Sequence, residues 1–305
     1  MRGALLAVSE NRWMRERGPK LWFVRKAVRR FMPGEEFDDM LRAAEALNGE
    51  GIKVVFTRLG ENVTDPAEAD FVMRHYVEGL DRIRSLGLPC EPSIKLTQLG
   101  LDLDKERCYS NLRTMAERAD TTGNYLWIDM EQSSYCDVTL ELTRRLRGEF
   151  PRVGVCLQAY LHRTNDDLAA IKAEGIGVRM VKGAYKEPPS RAFQAKGDVD
   201  ANYFRLAAAM LEPGPAGFRA VFGTHDARLI RLIREHADRA GLGPRAFEVH
   251  MLYGIQRTEQ LRLAQSGADI RVLVAYGSYW FPWYVRRLAE RPANVWFVAR
   301  SLFSR

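Results

Sequence analysis

YLWIDMEQSSYCDVTLELTRRLRGEFPRVGVCLQAY, residues 125–160, sets two apolar runs, YLWIDM (125–130) and VGVCLQAY (153–160), around the amphipathic stretch DVTLELTRRLRGEF (137–150). The runs are nearly continuous in hydrophobicity rather than alternating. Parallel strands covered by helices on their outer face require that pattern. The same unit repeats in both directions. Upstream lie KVVFTRL (53–59) and EPSIKL (91–96); downstream lie GVRMVKG (177–183), RAVFGT (219–224), FEVHML (247–252) and DIRVLVAY (269–276). Between the runs, ADFVMRHYVEGLDRIRSLG, DKERCYSNLRTMAERA, NDDLAAIKAEG, DARLIRLIREHADRAG and RTEQLRLAQSGA carry apolar residues at helical spacing. Several open on Asp or Asn and close near Gly, as capped helices do.

Strand and helix in strict alternation predict an α/β fold, a (βα)8 TIM-like barrel. An open doubly wound sheet is the alternative; no GxGxxG follows any strand, which counts against its dinucleotide-binding form. The chain has 305 residues and is 46% hydrophobic. Such barrels take about 250 residues. Residues 1–50 are therefore expected to be an N-terminal helical segment, with the catalytic barrel over 51–305.

Lys and Arg number 46 against 39 Asp and Glu, a formal charge of +7. Both signs are spread along the chain, which argues against a nucleic-acid binder and for affinity toward anions. Cys90, Cys108, Cys136 and Cys156 form no CxxC pair and read as reduced thiols of a cytosolic protein. No stretch approaches the roughly 20 apolar residues of a membrane span. KLWFVRKAVRRF (20–31) places Leu21, Val24, Val28 and Phe31 on one helical face. That face suits a helix packed on the barrel or, alternatively, one lying on a membrane surface. The C-terminal WFVARSLFSR poses the same choice.

In such barrels the chemistry sits at the C-terminal ends of the strands. Those ends are polar here: Glu61, Lys95, Asp129 with Met130 and Glu131, Gln158, Arg179 with Lys182 and Gly183, Gly223 to Asp226, His250 and Tyr276. Single ionisable groups within apolar strands are costly unless paired. Their recurrence at one end of the barrel predicts a site. VRMVKGAYKE (178–187) combines positive charge with small residues that admit a phosphate. THD (224–226) opens a helix and could hold a ribityl or pyrophosphate oxygen, or be a plain cap. In WYVRRLAERPANVWF (283–297), Glu290 lies four residues after Arg286 and can steady paired arginines into a fork for a carboxylate, or belong to a solvated salt-bridged face.

IKLTQLG, IDME, LQAYL, RMVKGAY, GTHD, FEVHMLYG and RRLAERPAN, in that order from about residue 50 to 298, resemble the proline dehydrogenase family, including the catalytic unit of the bifunctional PutA proteins. The resemblance implies an FAD-bearing barrel that oxidises L-proline to Δ1-pyrroline-5-carboxylate by hydride transfer to flavin N5, with electrons passed to a membrane quinone. It also implies a final helix over the barrel mouth. By this resemblance Lys95, Arg286 and Arg287 grip the substrate carboxylate, and Tyr276 and Leu252 pack around the proline ring. Asp129 and Arg179 are the active-site pair, with Arg179 close to the flavin. Met130, Gln158, Lys182, Gly183, Ala184, Thr224 and His225 line FAD. Glu61 latches an arginine of the final helix. The protein is expected in the cytoplasm, with peripheral contact at the inner face of the plasma membrane as a further expectation.

The chain departs from the family pattern at Thr57, Lys186, Asp226, His250 and Trp283. The bulk of Tyr276 favours plain proline over a hydroxylated ring. The alternatives are the same flavin chemistry on another cyclic imino acid, such as hydroxyproline or pipecolate, and a flavin-free lyase using Lys95 or Lys182 as a Schiff-base nucleophile.

Overall fold

A computed structural model of the protein describes residues 28–281. Eight parallel strands close into a barrel in sequential order: β1 (Lys53–Arg58), β2 (Cys90–Ile94), β3 (Leu126–Ile128), β4 (Val153–Gln158), β5 (Gly177–Val181), β6 (Ala220–Gly223), β7 (Glu248–Leu252) and β8 (Asp269–Tyr276). The wall helices are α1 (Phe37–Gly49), α2 (Pro66–Ser85), α3 (Lys105–Thr121), α4 (Cys136–Arg147), α5 (Thr164–Ala173), α6 (Lys196–Leu211), α7 (Ala227–Arg239) and α8 (Arg257–Gln265). All eight expected strands are present, and the closed barrel displaces the open-sheet alternative. One helix, α6, was not expected.

Local chemistry sets the helix starts. The Asp65 side chain accepts from the Ala67 amide at 2.9 Å, with Pro66 in the first helical position. Asp104 accepts from Arg107 N at 2.9 Å and Asp226 from Leu229 N at 3.4 Å. Each bond satisfies a donor that the helix leaves open.

Alternate strand residues face the helices or the barrel interior. The outward set (Val54, Phe56, Ile94, Ile128, Val155, Val178, Phe222, Val249, Val272 and Val274 among them) merges with the helices' inner faces in one continuous core. Inside the barrel, Tyr125, Trp127 and Val221 form a separate cluster. It stands on a ring of buried charges at the strands' N-terminal ends. Glu91 Oε1 takes Arg219 Nη1 at 3.0 Å and Arg271 Nη2 at 2.8 Å. Glu248 Oε2 takes Arg219 Nη2 at 2.6 Å and Arg271 Nε at 3.0 Å. Trp127 Nε1 donates to the other Glu91 oxygen at 2.8 Å. Each charge thus meets two opposite ones, the condition under which ions are tolerated away from water.

Helix α1 precedes β1 yet packs against both β8 and β1, filling the wall between the first and last strands. Residues 277–281 leave from the rim. There Trp280 Nε1 donates to Glu35 Oε1 at 3.0 Å, just ahead of α1. Of the apolar face expected over 20–31, Val28 and Phe31 are described, and both are buried, which supports the packed alternative. Leu21, Val24 and the C-terminal WFVARSLFSR lie outside the described residues, as does the expected final helix. The four cysteines are free and buried. Among the described residues, no helix is long and apolar enough to cross a membrane.

Candidate active site

Counting by twos along the inward faces brings Lys95, Asp129, Gln158, Gly223, Leu252 and Ala275 to the C-terminal rim. Ser93, Trp127, Cys156, Arg179, Val221 and His250 lie one step below.

Lys95 follows the last residue of β2. Its Nζ lies 3.0 Å from Glu61 Oε2, and both side chains are mostly buried. The next turn, Leu96–Leu99, is pinned by Glu131, whose carboxylate accepts from Thr97 N at 3.1 Å and Thr97 Oγ1 at 2.7 Å. Burial pushes the Glu131 carboxyl up, against the pull of Lys95 and the Thr97 bonds.

Arg179 is only 3% exposed and spends two of its three nitrogens on the site. Its Nη2 donates to Ser93 Oγ at 2.6 Å and to Asp129 Oδ1; its Nε donates to Cys156 Sγ at 2.9 Å. Ser93 Oγ also donates to Asp129 Oδ1, at 2.9 Å, and Cys156 Sγ does so at 3.3 Å. Burial opposes the guanidinium charge, but Cys156 and Asp129 outweigh it and raise the Arg179 pKa. The third nitrogen, Nη1, is sealed from solvent without a hydrogen-bond partner. On the neighbouring strand, Gln158 Nε2 donates to Met130 O at 3.3 Å, while Gln158 Oε1 is likewise buried without a partner. A buried donor and a buried acceptor therefore stand on adjacent strands. Leaving such atoms unmatched costs about 1–3 kcal/mol each.

Lys182 Nζ lies 2.5 Å from Asp200 Oδ1 on α6 and 2.9 Å from Asp226 Oδ2 at the cap of α7. Burial pushes both carboxyls up, but Lys182 reverses this and holds them below their ordinary values. Gly183 has φ +107, and a Cβ there would stand 2.2 Å from the Tyr160 ring. Only glycine fits this turn beside Ala184. Thr224 Oγ1 accepts from Asp226 N at 3.2 Å. His225 Nε2 accepts from Leu252 N at 2.8 Å, so its ring proton sits on Nδ1. His250 lies deeper, edge-on to Trp127, with Nε2 3.4 Å from Glu248 Oε2. Burial pulls its pKa down to about 3 despite Glu248, so the ring is neutral.

The structure thus brings Glu61, Lys95, Asp129, Met130, Gln158, Arg179, Lys182, Gly183, Ala184, Thr224, His225 and Leu252 to one end of the barrel. Tyr276 is the correction. Strand parity from inward Arg271 runs through Leu273 and Ala275 and turns Tyr276 outward. Its hydroxyl lies 2.9 Å from His75 Nε2 on α2, and its ring packs edge-on to Phe37 of α1 at 5.5 Å. It is a wall residue, and its bulk does not shape the mouth. Arg286, Arg287, Glu290 and Trp283 lie outside the described residues. The sequence reading gave no role to Ser93, Cys156 or Asp200. The first two share the parity of Lys95 and Gln158, a signal that was available; Asp200 sits on the unexpected α6.

A proline dehydrogenase family model matches residues 40–300. Proline dehydrogenase of Deinococcus radiodurans is 35% identical, covering 99% of this chain and 97% of that protein. Proline dehydrogenase 1 of Bacillus subtilis (strain 168) is 33% identical over the full length of both. Among solved structures, proline utilization A (PutA) from Bdellovibrio bacteriovorus, inactivated by N-propargylglycine, superposes with a TM-score of 0.80 at 24% identity. That match covers 88% of this chain and 33% of the longer protein, and it bears on the fold alone.

Proposed function

The chain belongs to the proline dehydrogenase family, and from that premise we propose that it oxidises L-proline to Δ1-pyrroline-5-carboxylate with bound FAD and passes the electrons to a membrane quinone. One observation carries the flavin assignment: Arg179 Nη1 and Gln158 Oε1, a buried donor and a buried acceptor without partners, on adjacent strands at the catalytic end. A planar heterocycle with ring carbonyls and ring N–H groups matches such a pair. Arg179, Gln158, Met130, Lys182, Gly183, Ala184, Thr224 and His225 would hold FAD, which when bound would supply the two-electron acceptor, at its N5, for the oxidation of proline.

The protein's own groups do the positioning. Lys95, with Arg286 and Arg287, clasps the substrate carboxylate, and Leu252 packs on the ring. Glu61, already against Lys95, would latch an arginine of the final helix over the bound acid. Asp129 and Arg179 set the polarity of the floor beneath it. Holding the reacting C–H in place would supply much of the acceleration, and the Arg179 guanidinium would favour negative charge where the cofactor binds. Because carboxylates crowd both Lys95 and Lys182, neither is the bare amine a Schiff-base lyase needs. The outward Tyr276 removes the bulk expected to reject a ring hydroxyl, so trans-4-hydroxyproline is the second reading. Cytoplasmic residence with peripheral membrane contact follows from the quinone, and sedimentation with acidic vesicles at low salt tests that contact.

Turnover with a soluble quinone, following the imine product on L-proline and on trans-4-hydroxyproline, tests the assignment. L-proline is expected to be preferred. Lys95→Ala should raise KM by about 10–100-fold, the worth of one charged hydrogen bond. Preference for the hydroxylated ring would select the second reading, and turnover of neither would refute both.

A further inference from the structure

We propose that Cys156 is a positioning residue: its thiol accepts from Arg179 and donates to Asp129, fixing the pair so that one carboxylate oxygen and one guanidinium nitrogen remain for ligands. The inference rests on the functional reading above for its kinetic consequence, and on geometry alone for its structural one.

Three donors converge on Asp129 Oδ1: Ser93 Oγ at 2.9 Å, Cys156 Sγ at 3.3 Å and Arg179 Nη2. Two of those donors are also acceptors. Ser93 Oγ receives Arg179 Nη2 at 2.6 Å, and Cys156 Sγ receives Arg179 Nε at 2.9 Å. The hydroxyl and the thiol are thus parallel relays, one on each side of the ion pair. A thiol has both a lone pair and a proton to fill this place, whereas valine or alanine has neither. The sulfur is buried, and burial pushes its pKa to about 12, so it stays a neutral thiol that keeps its proton for Asp129. With Nε and Nη2 engaged, three hydrogen bonds from two nitrogens fix the guanidinium plane. Nη1, buried without a partner, is left for the cofactor, and all three converging bonds end on Oδ1 rather than Oδ2. Without the sulfur, only the Nη2 bonds and the Trp127 ring, 5.2 Å away, are left to hold the guanidinium.

The S–H stretching band of Cys156 reads the geometry directly. It is isolated as the infrared difference between the wild type and Cys156→Ser, with Cys90, Cys108 and Cys136 cancelling. A donating thiol absorbs at lower frequency than a free one, and Asp129→Asn is expected to move the band upward. Kinetically, Cys156→Ala should lower kcat about tenfold with KM within about twofold, the scale of one hydrogen bond to a charged group. Cys156→Ser should recover most of that loss, and the flavin midpoint potential should shift in the alanine variant but not in the serine one. A band at the free-thiol position that ignores Asp129→Asn would overturn the proposal. So would alanine and serine variants that fall together or not at all. A wild type that does not oxidise proline would count against the functional reading, leaving the infrared result to decide this one.

Discussion

Replacing His250 with glutamine should remove an acid-dependent loss of stability from the barrel. His250 is 4% exposed, edge-on to Trp127, beside Glu248, and within the fields of Arg179 and Arg271. Burial leads the causes that pull its folded-state pKa down to about 3, from an ordinary value of 6.5. In the unfolded chain the imidazole binds a proton as pH falls below about 6.5; in the folded protein it does not. The unfolded state then holds more protons, so stability falls with pH from about 6.5 toward about 3. Each pH unit costs about 1.4 kcal/mol. Between pH 7 and pH 5 this amounts to about 2 kcal/mol, before unfolded carboxylates contribute much. Glutamine has similar volume, does not titrate, and carries an amide that can donate to Glu248. Urea unfolding followed by circular dichroism at pH 7 and pH 5 should therefore show the wild type losing about 2 kcal/mol more than His250→Gln. Equal losses would refute the reasoning and mean that His250 takes up its proton inside the fold.

Tyr276→Phe removes one hydrogen bond to His75 in the wall and should cost about 1 kcal/mol, leaving KM for proline within about twofold; a large rise in KM would return Tyr276 to the mouth. Gly183→Ala faces both a φ of +107 and the Tyr160 ring, so thermal unfolding should report a loss of about 2 kcal/mol or more, and unchanged stability would show that the turn yields. Glu91→Gln leaves Arg219 and Arg271 sharing fewer counter-charges and should destabilise by about 3–5 kcal/mol in denaturant titration; a neutral outcome would show that Glu248 alone balances both arginines.

The strands were legible because residues buried on both faces read as continuous apolar runs. Their ends were less so. YLWIDM predicts a strand to Met130, whereas β3 ends at Ile128, although Asp129 N still reaches Ile94 O at 2.8 Å. Helix α6 escaped because its N-cap, Ala195, makes no side-chain bond and its alanines blur the apolar face; with it went Asp200. The position of Tyr276 at the end of β8 points to the mouth, but its parity points to the wall. Two steps from Arg271 lead to Leu273 and Ala275, and the intervening residues must face the wall. The rim residues were found because charge in an apolar strand is conspicuous. Ser93 and Cys156, small and uncharged, gave no such signal, although the ion pair depends on both.

An anaerobic absorbance titration of the purified protein with L-proline tests the central claim most directly. Flavin bands should be present before addition and should bleach as proline is added, to one two-electron reduction per site, with Lys95→Ala requiring far more substrate. A folded preparation without flavin that cannot take up FAD, or a flavin whose spectrum proline leaves unchanged, would contradict the account.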